Sequence, residues 1–465
     1  MKFRSKVAEK GSISATDKTI TRRLLHPNYP FSTTRFPFFY GWIIAVVCTI
    51  GIIMSIPGQT VGVSVFTDHL LQATGVSRLE LSNAYLVGTL TSGFLLPMGG
   101  VLLDRFGARV IVVGSSLWLG GTLCYLSLCD RIAISLKTIL PLDHSAIALI
   151  ILGLGFTSLR FSGQGMLTMT SRTTLGKWFD RRRGFVSGTT GVFISFGFSI
   201  APLILSTWIN GFGWRYTWVT MAAIVGIGMG FIGWMFYRDN PEECGLIMDG
   251  DATTPVTTGE TFAENKIQDF TRSQALRTRI FWAATLTLSS HALVVTGITF
   301  HIVDIGAEAG LSQIQAVSLF LPMAILSTIV GYLMGVSADR VSLKYLFIFM
   351  IVFQAIGFIC AANLGIGWLR GLTIVGLGAS GGCFSTLSTV ALPRFFGRMH
   401  LGAIAGVQMM SMVCASAIGP SFLAVFKDQL GSYQPGLYAC TILPAITLIL
   451  TLFSHNPQKG IGNGE

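Results

Sequence analysis

The sequence predicts an all-α membrane protein: twelve transmembrane helices in two pseudo-symmetric six-helix bundles. Three observations carry this: apolar blocks of membrane-spanning length, a one-sided distribution of Lys and Arg, and a motif that recurs in the second half. Of 465 residues, 51% are hydrophobic and 11% are charged, against about 25% charged in soluble domains. Residues 41–67, 110–129, 216–237 and 371–393 contain no Asp, Glu, Lys or Arg. About 20 mostly apolar residues span the hydrocarbon core as a helix. Backbone groups in lipid must bond within the segment, which favours helices. A membrane barrel would instead show alternating segments of about ten residues.

The blocks place α1 at 39–71, α2 at 80–103, α3 at 107–128, α4 at 144–173, α5 at 184–209 and α6 at 214–236. A polar stretch, 237–277, with Pro241, Pro255 and eight acidic residues, reads as a linker. Then come α7 at 278–304, α8 at 311–338, α9 at 343–363, α10 at 364–393, α11 at 402–427 and α12 at 433–454. The expected organisation is a tail (1–38), a first bundle (39–236), the linker (237–277), a second bundle (278–454) and a final tail (455–465).

Twelve crossings put both termini on one side. Of the 32 Lys and Arg, 25 fall on that side, and six (Arg78, Arg131, Lys137, Arg215, Arg370, Lys427) on the other. The remaining one, Arg160, lies inside α4. Positive charge stays cytoplasmic, so both termini are expected in the cytoplasm of a cell with this protein in its inner or plasma membrane. The net charge of +11 is therefore topological: no dense basic tract with interleaved aromatics points to nucleic acid. The eight cysteines are scattered without metal spacing and read as small apolar residues. No metal or cofactor is expected. The first 38 residues lack the apolar core of a signal peptide. Many of the 54 glycines read as helix-contact positions. Trp178, Trp214 and Trp218 read as membrane-interface anchors.

The repeat is legible residue by residue. Gly100-Val-Leu-Leu-Asp104-Arg105-Phe-Gly107-Ala-Arg109 follows α2, and Gly335-Val-Ser-Ala-Asp339-Arg340-Val-Ser-Leu-Lys344 follows α8. Gly153-Leu154-Gly155 with Phe161 in α4 matches Gly376-Leu377-Gly378 with Phe384 in α10. Lys177-Trp178-Phe179-Asp180-Arg181 matches Arg394-Phe395-Phe396-Gly397-Arg398, and Ile200-Ala201-Pro202 in α5 matches Ile418-Gly419-Pro420 in α11. Asp104 and Asp339 stand where a helix ends in a tight turn. There a carboxylate can face the positive N-terminal end of a helix from the other half, with flanking bases to pair it. This suits a gate built from Asp104, Arg105, Arg109, Asp339, Arg340 and Lys344. A simpler reading is a local ion pair in positively charged loops.

The Gly-x-Leu-x-Asp-Arg-x-Gly-x-Arg loop with its weaker second copy resembles the signature of the major facilitator superfamily, and the resemblance covers essentially the whole chain. Phe39-Tyr40-Gly41-Trp42, the run from Gly176 through Lys177-Trp178-Phe179-Asp180 and three arginines to Gly184, and Gly213-Trp214-Arg215 resemble its monocarboxylate and oxalate–formate branch. The resemblance implies alternating access, two bundles rocking about a central cavity, driven by a gradient. Consistently, no G-x-x-x-x-G-K-[ST] loop occurs. The chain departs from that branch in lacking a basic residue inside α8 or α11 and an Asp–Arg pair in α8. Carboxylate specificity therefore does not carry over residue by residue.

Arg160 is the sharpest single feature, 16 residues from the start and 13 from the end of α4 as predicted. A guanidinium there costs about 3 kcal/mol on insertion scales, so it must face protein or water. Gln164 lies one turn on, and Thr157 is near the same face. Arg can grip a carboxylate with two parallel bonds. Substrate-anion contact, proton coupling and structural pairing are the three roles open to it. All 21 Asp and Glu fall at helix ends, in loops or in tails. His291, beside Ser289 and Ser290 in α7, could line the same path or carry a proton. His301 and Asp304, i and i+3 at the far end of α7, are expected to form a pH-sensitive coupling pair. Pro57-Gly58 should break α1 and put Gln59 on the cavity wall, with Gln408 and Ser411 of α11 and Ser385 and Ser388 of α10 opposite.

The expected function is secondary transport of a small organic anion of monocarboxylate type, by proton symport or anion exchange, by a monomer in the bilayer. The alternative is a proton-coupled exporter of a drug, metabolite or siderophore-like solute. A non-transporting receptor derived from a carrier would show a large extra domain or damaged gate loops. An enzyme would need a Ser/His/Asp, metal or paired-carboxylate constellation within the helices, and none is seen.

Overall fold

The computed structural model describes residues 28–139, 141, 143–250 and 268–460. Among these, nine helices are long and apolar enough to cross a membrane. Two of them, Arg78–Ser127 and Arg183–Phe236, each hold two crossings, because the backbone turns back at Gly107 (φ 78°) and Gly213 (φ 83°). Side chains other than glycine rarely adopt that left-handed region. With the apolar helix Gly41–Met54 that begins α1, the chain has twelve transmembrane segments in two six-helix halves. In the first half these are α1, then α2 (78–106), α3 (108–127), α4 (His144–Trp178), α5 (183–212) and α6 (214–236). The second half comprises α7 (Arg279–Glu308), α8 (Gln313–Ala338), α9 (Leu343–Ala361), α10 (Gly367–Phe396), α11 (Leu401–Leu430) and α12 (Gln434–Leu452).

Several segments differ from their predicted form. α1 is no single helix: Gly41–Met54 gives way to a 3-10 turn at Ile56–Gly58, an extended Gln59, then short helices Thr60–Ser64 and Thr67–Thr74. Pro57 inside the turn has no N–H to continue the α-helical ladder. α4 runs on to Trp178, and within it Arg160–Leu167 is π-helical. The loop after α3 contains a helix, Cys129–Lys137, whose Asp130 takes both terminal nitrogens of Arg215 at 2.7 Å. That bidentate pair holds the Asp130 carboxyl below the usual carboxylate range.

The tryptophans are not interface anchors as a group. Trp178 is fully buried, donates to the Arg238 carbonyl (3.1 Å) and packs against Phe39 and Tyr40. Trp218 is buried against Phe66 and Trp214. Each joins the start of α1 or its outer part to a neighbour, where an amphipathic ring fills core volume and still finds a partner.

The loops after α2, α4, α8 and α10, the linker and both described chain ends share one face, here the linker face. Contacts there include Thr33 to the Cys244 carbonyl, Gln458 to the Phe395 carbonyl and Gln268, and Arg398 to the Lys177 carbonyl. The halves meet most closely near this face. A Cβ on Gly100 would collide with the Gly402 carbonyl of α11, and one on Gly184 with the Gly335 carbonyl of α8. These pairs let two backbones touch, the use small residues have between membrane helices. Further toward the middle, Gly93 faces Cys414.

Substituting Gly100→Val should therefore wedge α2 from α11. In membranes, alkylation of Cys414 by a permeant maleimide, mapped by mass spectrometry, should accelerate about tenfold, while the fully buried Cys383 stays inert. An unchanged Cys414 rate would show that this contact does not hold the halves together.

Candidate functional site

At the centre of the first half, the break in α1 docks on the π-helical stretch of α4. Gly58 and Gly163 are in backbone contact: a Cβ on Gly58 would lie 2.7 Å from the Gly163 Cα. The interruption leaves carbonyls without helical partners, and buried carbonyls need donors. Arg160 supplies one. Its Nη1 donates to the Gly58 carbonyl (3.3 Å) and to the Thr60 hydroxyl (3.3 Å), and its guanidinium lies 5.3 Å from the centre of the Tyr85 ring in α2. Tyr85 in turn donates to the Thr60 hydroxyl (3.0 Å). Arg160 is 2% exposed, and no ion pair joins it to a carboxylate among the described residues. Its Nε has no hydrogen-bond partner, nor does the Gln164 Oε1. Gln59 turns its amide to Ser55 (3.1 Å) and Thr168 (3.4 Å), which seals the α1–α4 seam.

The second half contributes a different set. His291 is buried in α7, stacked on Phe384 of α10 with ring centres 5.1 Å apart, and its Nδ1 has no partner. Next to it Ser290 Oγ is also unpartnered, while Ser289 bonds Ser411 of α11 (2.9 Å). Gln408 of α11 is 3% exposed with a free Nε2. So the middle of the protein holds several polar groups whose bonding is incomplete, from α4, α7 and α11. Buried polar atoms are normally satisfied, so each of these groups keeps bonding capacity that a ligand or water can take up.

At the linker face the two Asp side chains make the same cross-half contact. Asp104 accepts from the backbone N–H of Gly402 (2.8 Å) and Ala403 (2.7 Å) at the start of α11. Asp339 accepts from Gly184 (2.7 Å) and Phe185 (2.9 Å) at the start of α5. Burial pushes the Asp339 carboxyl above its usual range, against the pull of those two N–H groups.

The flanking bases do something other than expected. Arg109 Nε donates to the Tyr237 carbonyl at the end of α6, and Lys344 Nζ to the Leu452 carbonyl at the end of α12. Both cap the last carbonyls of a helix in their own half, which attract a cation. Arg105 is exposed over the Phe106 ring, and Arg340 is exposed. Arg398, in the loop after α10, does bridge the halves, through the Lys177 carbonyl (2.8 Å) and Glu242 (2.9 Å).

His301 and Asp304 do not pair directly. Tyr433 stands between them, 3.1 Å from His301 Nδ1 and 3.5 Å from Asp304, while His301 Nε2 bonds the Pro420 carbonyl (3.0 Å).

One residue escaped the sequence reading. The charge sorting counts Arg172 with the α4–α5 loop, but α4 continues past it, and its Nη1 donates to Ser388 of α10 at 2.7 Å. A small cavity of about 30 Å³ surrounds it, lined also by Thr173, Thr389, Gln408 and Leu401. The signal available was Arg172 falling inside the predicted span 144–173, between Ser171 and Thr173 rather than among other bases.

The sequence matches the Major Facilitator Superfamily over residues 42–420. The chain belongs to that family. No curated protein matches it. In fold, this facilitator resembles the proton:xylose symporter XylE bound to 6-bromo-6-deoxy-D-glucose (TM-score 0.62, 16% identity, 89% of this chain and 95% of that one). It also resembles a variant of the E. coli fucose:proton symporter FucP (TM-score 0.62, 12% identity, 89% and 98%). A double-tryptophan variant of XylE superposes similarly (TM-score 0.62, 16% identity, 90% and 98%). At such identities the likeness is one of fold. The chain is thus a multi-pass membrane transporter of the facilitator type.

Removing the charge at the cross-half contacts tests their weight. Asp104→Asn or Asp339→Asn exchanges a carboxylate with two N–H bonds for a neutral amide with one acceptor oxygen. Bonds to charged groups contribute about 1.5–3 kcal/mol. Either variant should weaken linker-face closure by roughly tenfold or more, read as faster alkylation of a cysteine placed at Ala403. Equal rates in wild type and both variants would remove these contacts from the closing interaction.

Proposed function

We propose that this facilitator carries a small organic anion, of the monocarboxylate class, across the inner or plasma membrane by alternating access, with both termini in the cytoplasm. One observation carries the reading: Arg160 is buried in the middle of α4, and among the described residues no carboxylate neutralises it. An uncompensated guanidinium in the membrane interior is costly, and a carboxylate ligand removes that cost while taking the fork of paired donors. The open Nε and the exchangeable bond to the Thr60 hydroxyl leave room for such a ligand's bonds.

The anion enters from the face opposite the linker while Asp104 and Asp339 hold the linker face shut. It binds against Arg160, with Gln164 and Gln59 near by and His291 from the second half, whereas the expected contact from Gln408 falls instead at the cavity beside Arg172. Neutralising Arg160 lowers the cost of occluding the site, and release of the two Asp contacts opens the linker face. Because Asp and Glu lie at span ends and in loops, a coupled proton would travel on His291 or with the substrate. Otherwise a second anion returns on the same site.

A second reading has its own observation. Arg160 already bonds two neutral oxygens, Gly58 O and Thr60 Oγ1. That suits a structural or coupling arginine in a carrier of neutral or bulky solutes, an exporter among them; the similar folds of the xylose and fucose symporters belong with this reading.

Uptake of labelled lactate, pyruvate and oxalate into proteoliposomes, with internal pH recorded, separates them. Losing one partner of a buried charge contact costs about 2–5 kcal/mol. Arg160→Gln should therefore lower kcat/KM for the transported anion by roughly 100-fold, and Arg160→Lys should restore part of it. Wild-type protein that moves xylose but none of the three acids, or an Arg160→Gln variant with normal anion uptake, would decide for the second reading.

A further inference from the structure

Arg172 sits on the same side of α4 as Arg160, because of the π-helical stretch between them. In an uninterrupted α-helix, residues twelve apart are rotated about 120° from each other, at about 100° per residue. A π-turn accommodates one extra residue. With residues 160–167 π-helical, Arg172 follows Arg160 as though eleven residues on, and the rotation falls to about 20°. The two Cα atoms are then about 16 Å apart along the helix at 1.5 Å per residue, with the Arg160 guanidinium turned to α1 and α2 and that of Arg172 to α10. That is a spacing along the transport axis, from the middle of the membrane toward the linker face.

The cavity at Arg172 has a largely apolar wall, with Met169, Leu392, Met409 and Met412 among its residues, and one polar side. Around its cavity stand the hydroxyls of Thr173, Ser388 and Thr389 and the amide of Gln408, and no acidic residue lines it. Gln408 is 3% exposed and its Nε2 has no partner. α4 comes from one half, α10 and α11 from the other, so the cavity lies in the seam along which the halves separate. Its wall includes Leu401, the residue before the Gly402 and Ala403 N–H groups that Asp104 holds. At about 30 Å³ it has room for a water or two in this closed arrangement.

We propose that Arg172, with Gln408 and Ser388, forms a second anion-binding station, immediately behind the linker-face gate. A carboxylate passes between it and Arg160 as the halves part. Resting on the anion reading of Arg160, the proposal adds a sided step: in the closed arrangement Ser388 occupies the guanidinium, and separation of α4 from α10 frees it for the substrate.

Transport of labelled lactate, pyruvate and oxalate measured separately from each face, in proteoliposomes of defined orientation, tests this. Arg172→Gln should raise the linker-side KM of the transported acid about tenfold and change the opposite-side KM by less than twofold. Arg172→Lys should keep most of the linker-side affinity, and Gln408→Leu should raise the same KM several-fold. A latch without ligand contact predicts the opposite sign: loss of the Ser388 bond would favour the linker-open state and lower the linker-side KM. That outcome, or an equal change on both faces, overturns the station. If wild-type protein transports none of the acids, the anion reading fails together with the station, and this is seen before any Arg172 variant is made. Thermal unfolding of each variant in detergent confirms that it folds; should Arg172→Gln fail to, Gln408→Leu decides, and an unchanged linker-side KM in it overturns the proposal.

Discussion

Asp104 and Asp339 each accept two backbone N–H groups at the first turn of a helix from the opposite half. The first N–H groups of any helix lack internal partners and carry the positive end of its dipole. A carboxylate set there gains two charge-assisted bonds without needing a basic side chain. Glycine at Gly100, Gly184, Gly335 and Gly402 lets the backbones come near enough for those bonds to form. The contact is therefore strong while the halves touch and has no residual attraction of long reach once water enters between them. A rocking carrier needs that combination at the face it must alternately seal and open. The exchange is reciprocal: the loop after α2 holds α11, and the equivalent loop after α8 holds α5. Two equivalent latches on either side of the pseudo-symmetry axis resist tilting better than one.

Within this symmetric frame the polar interior is unequal. Arg160 in α4 aligns with Cys383 in α10, and Cys383 is fully buried in apolar surroundings. The break in α1 and the π-stretch in α4 meet only in the first half, where the freed Gly58 carbonyl and the guanidinium satisfy each other. The second half answers with neutral or titratable groups, His291, Ser290 and Gln408, left short of partners. A duplicated scaffold thus holds a buried cation in one half and incompletely bonded neutral or titratable groups in the other.

The twelve spans, the repeat and the midplane arginine were all legible in the sequence, because length, charge asymmetry and local identity are one-dimensional properties. What was not legible depends on contacts. Arg109 and Lys344 stand in the repeated motif beside the Asp residues, yet they reach carbonyls at the ends of α6 and α12, far away in sequence. Arg172 lies at the end of the predicted α4 and counts there as another base of the positive face, but its bond to Ser388 of α10 is a contact between distant segments. Trp178 has the composition of an interface anchor but is taken up by the aromatic packing of Phe39 and Tyr40. The π-stretch changes the phase of α4 halfway along, so helical-wheel reasoning from Arg160 fails beyond Leu167.

The linker takes part in the same economy of charges. Asp249, near its start, accepts from the backbone N–H groups of Asp180, Arg181 and Arg182, just ahead of α5. Asp269, near its end, accepts from those of Arg398 and Met399, just ahead of α11. These two sites occupy equivalent positions in the repeat, and each orders the loop from which a latched helix begins. One end of the linker is thereby fixed to the first half and the other to the second. The Arg398–Glu242 pair adds a further tie between the two sides. The linker acids thus set the position of both helix N-termini that the latches grip, which couples the connection between the halves to the seal that closes them.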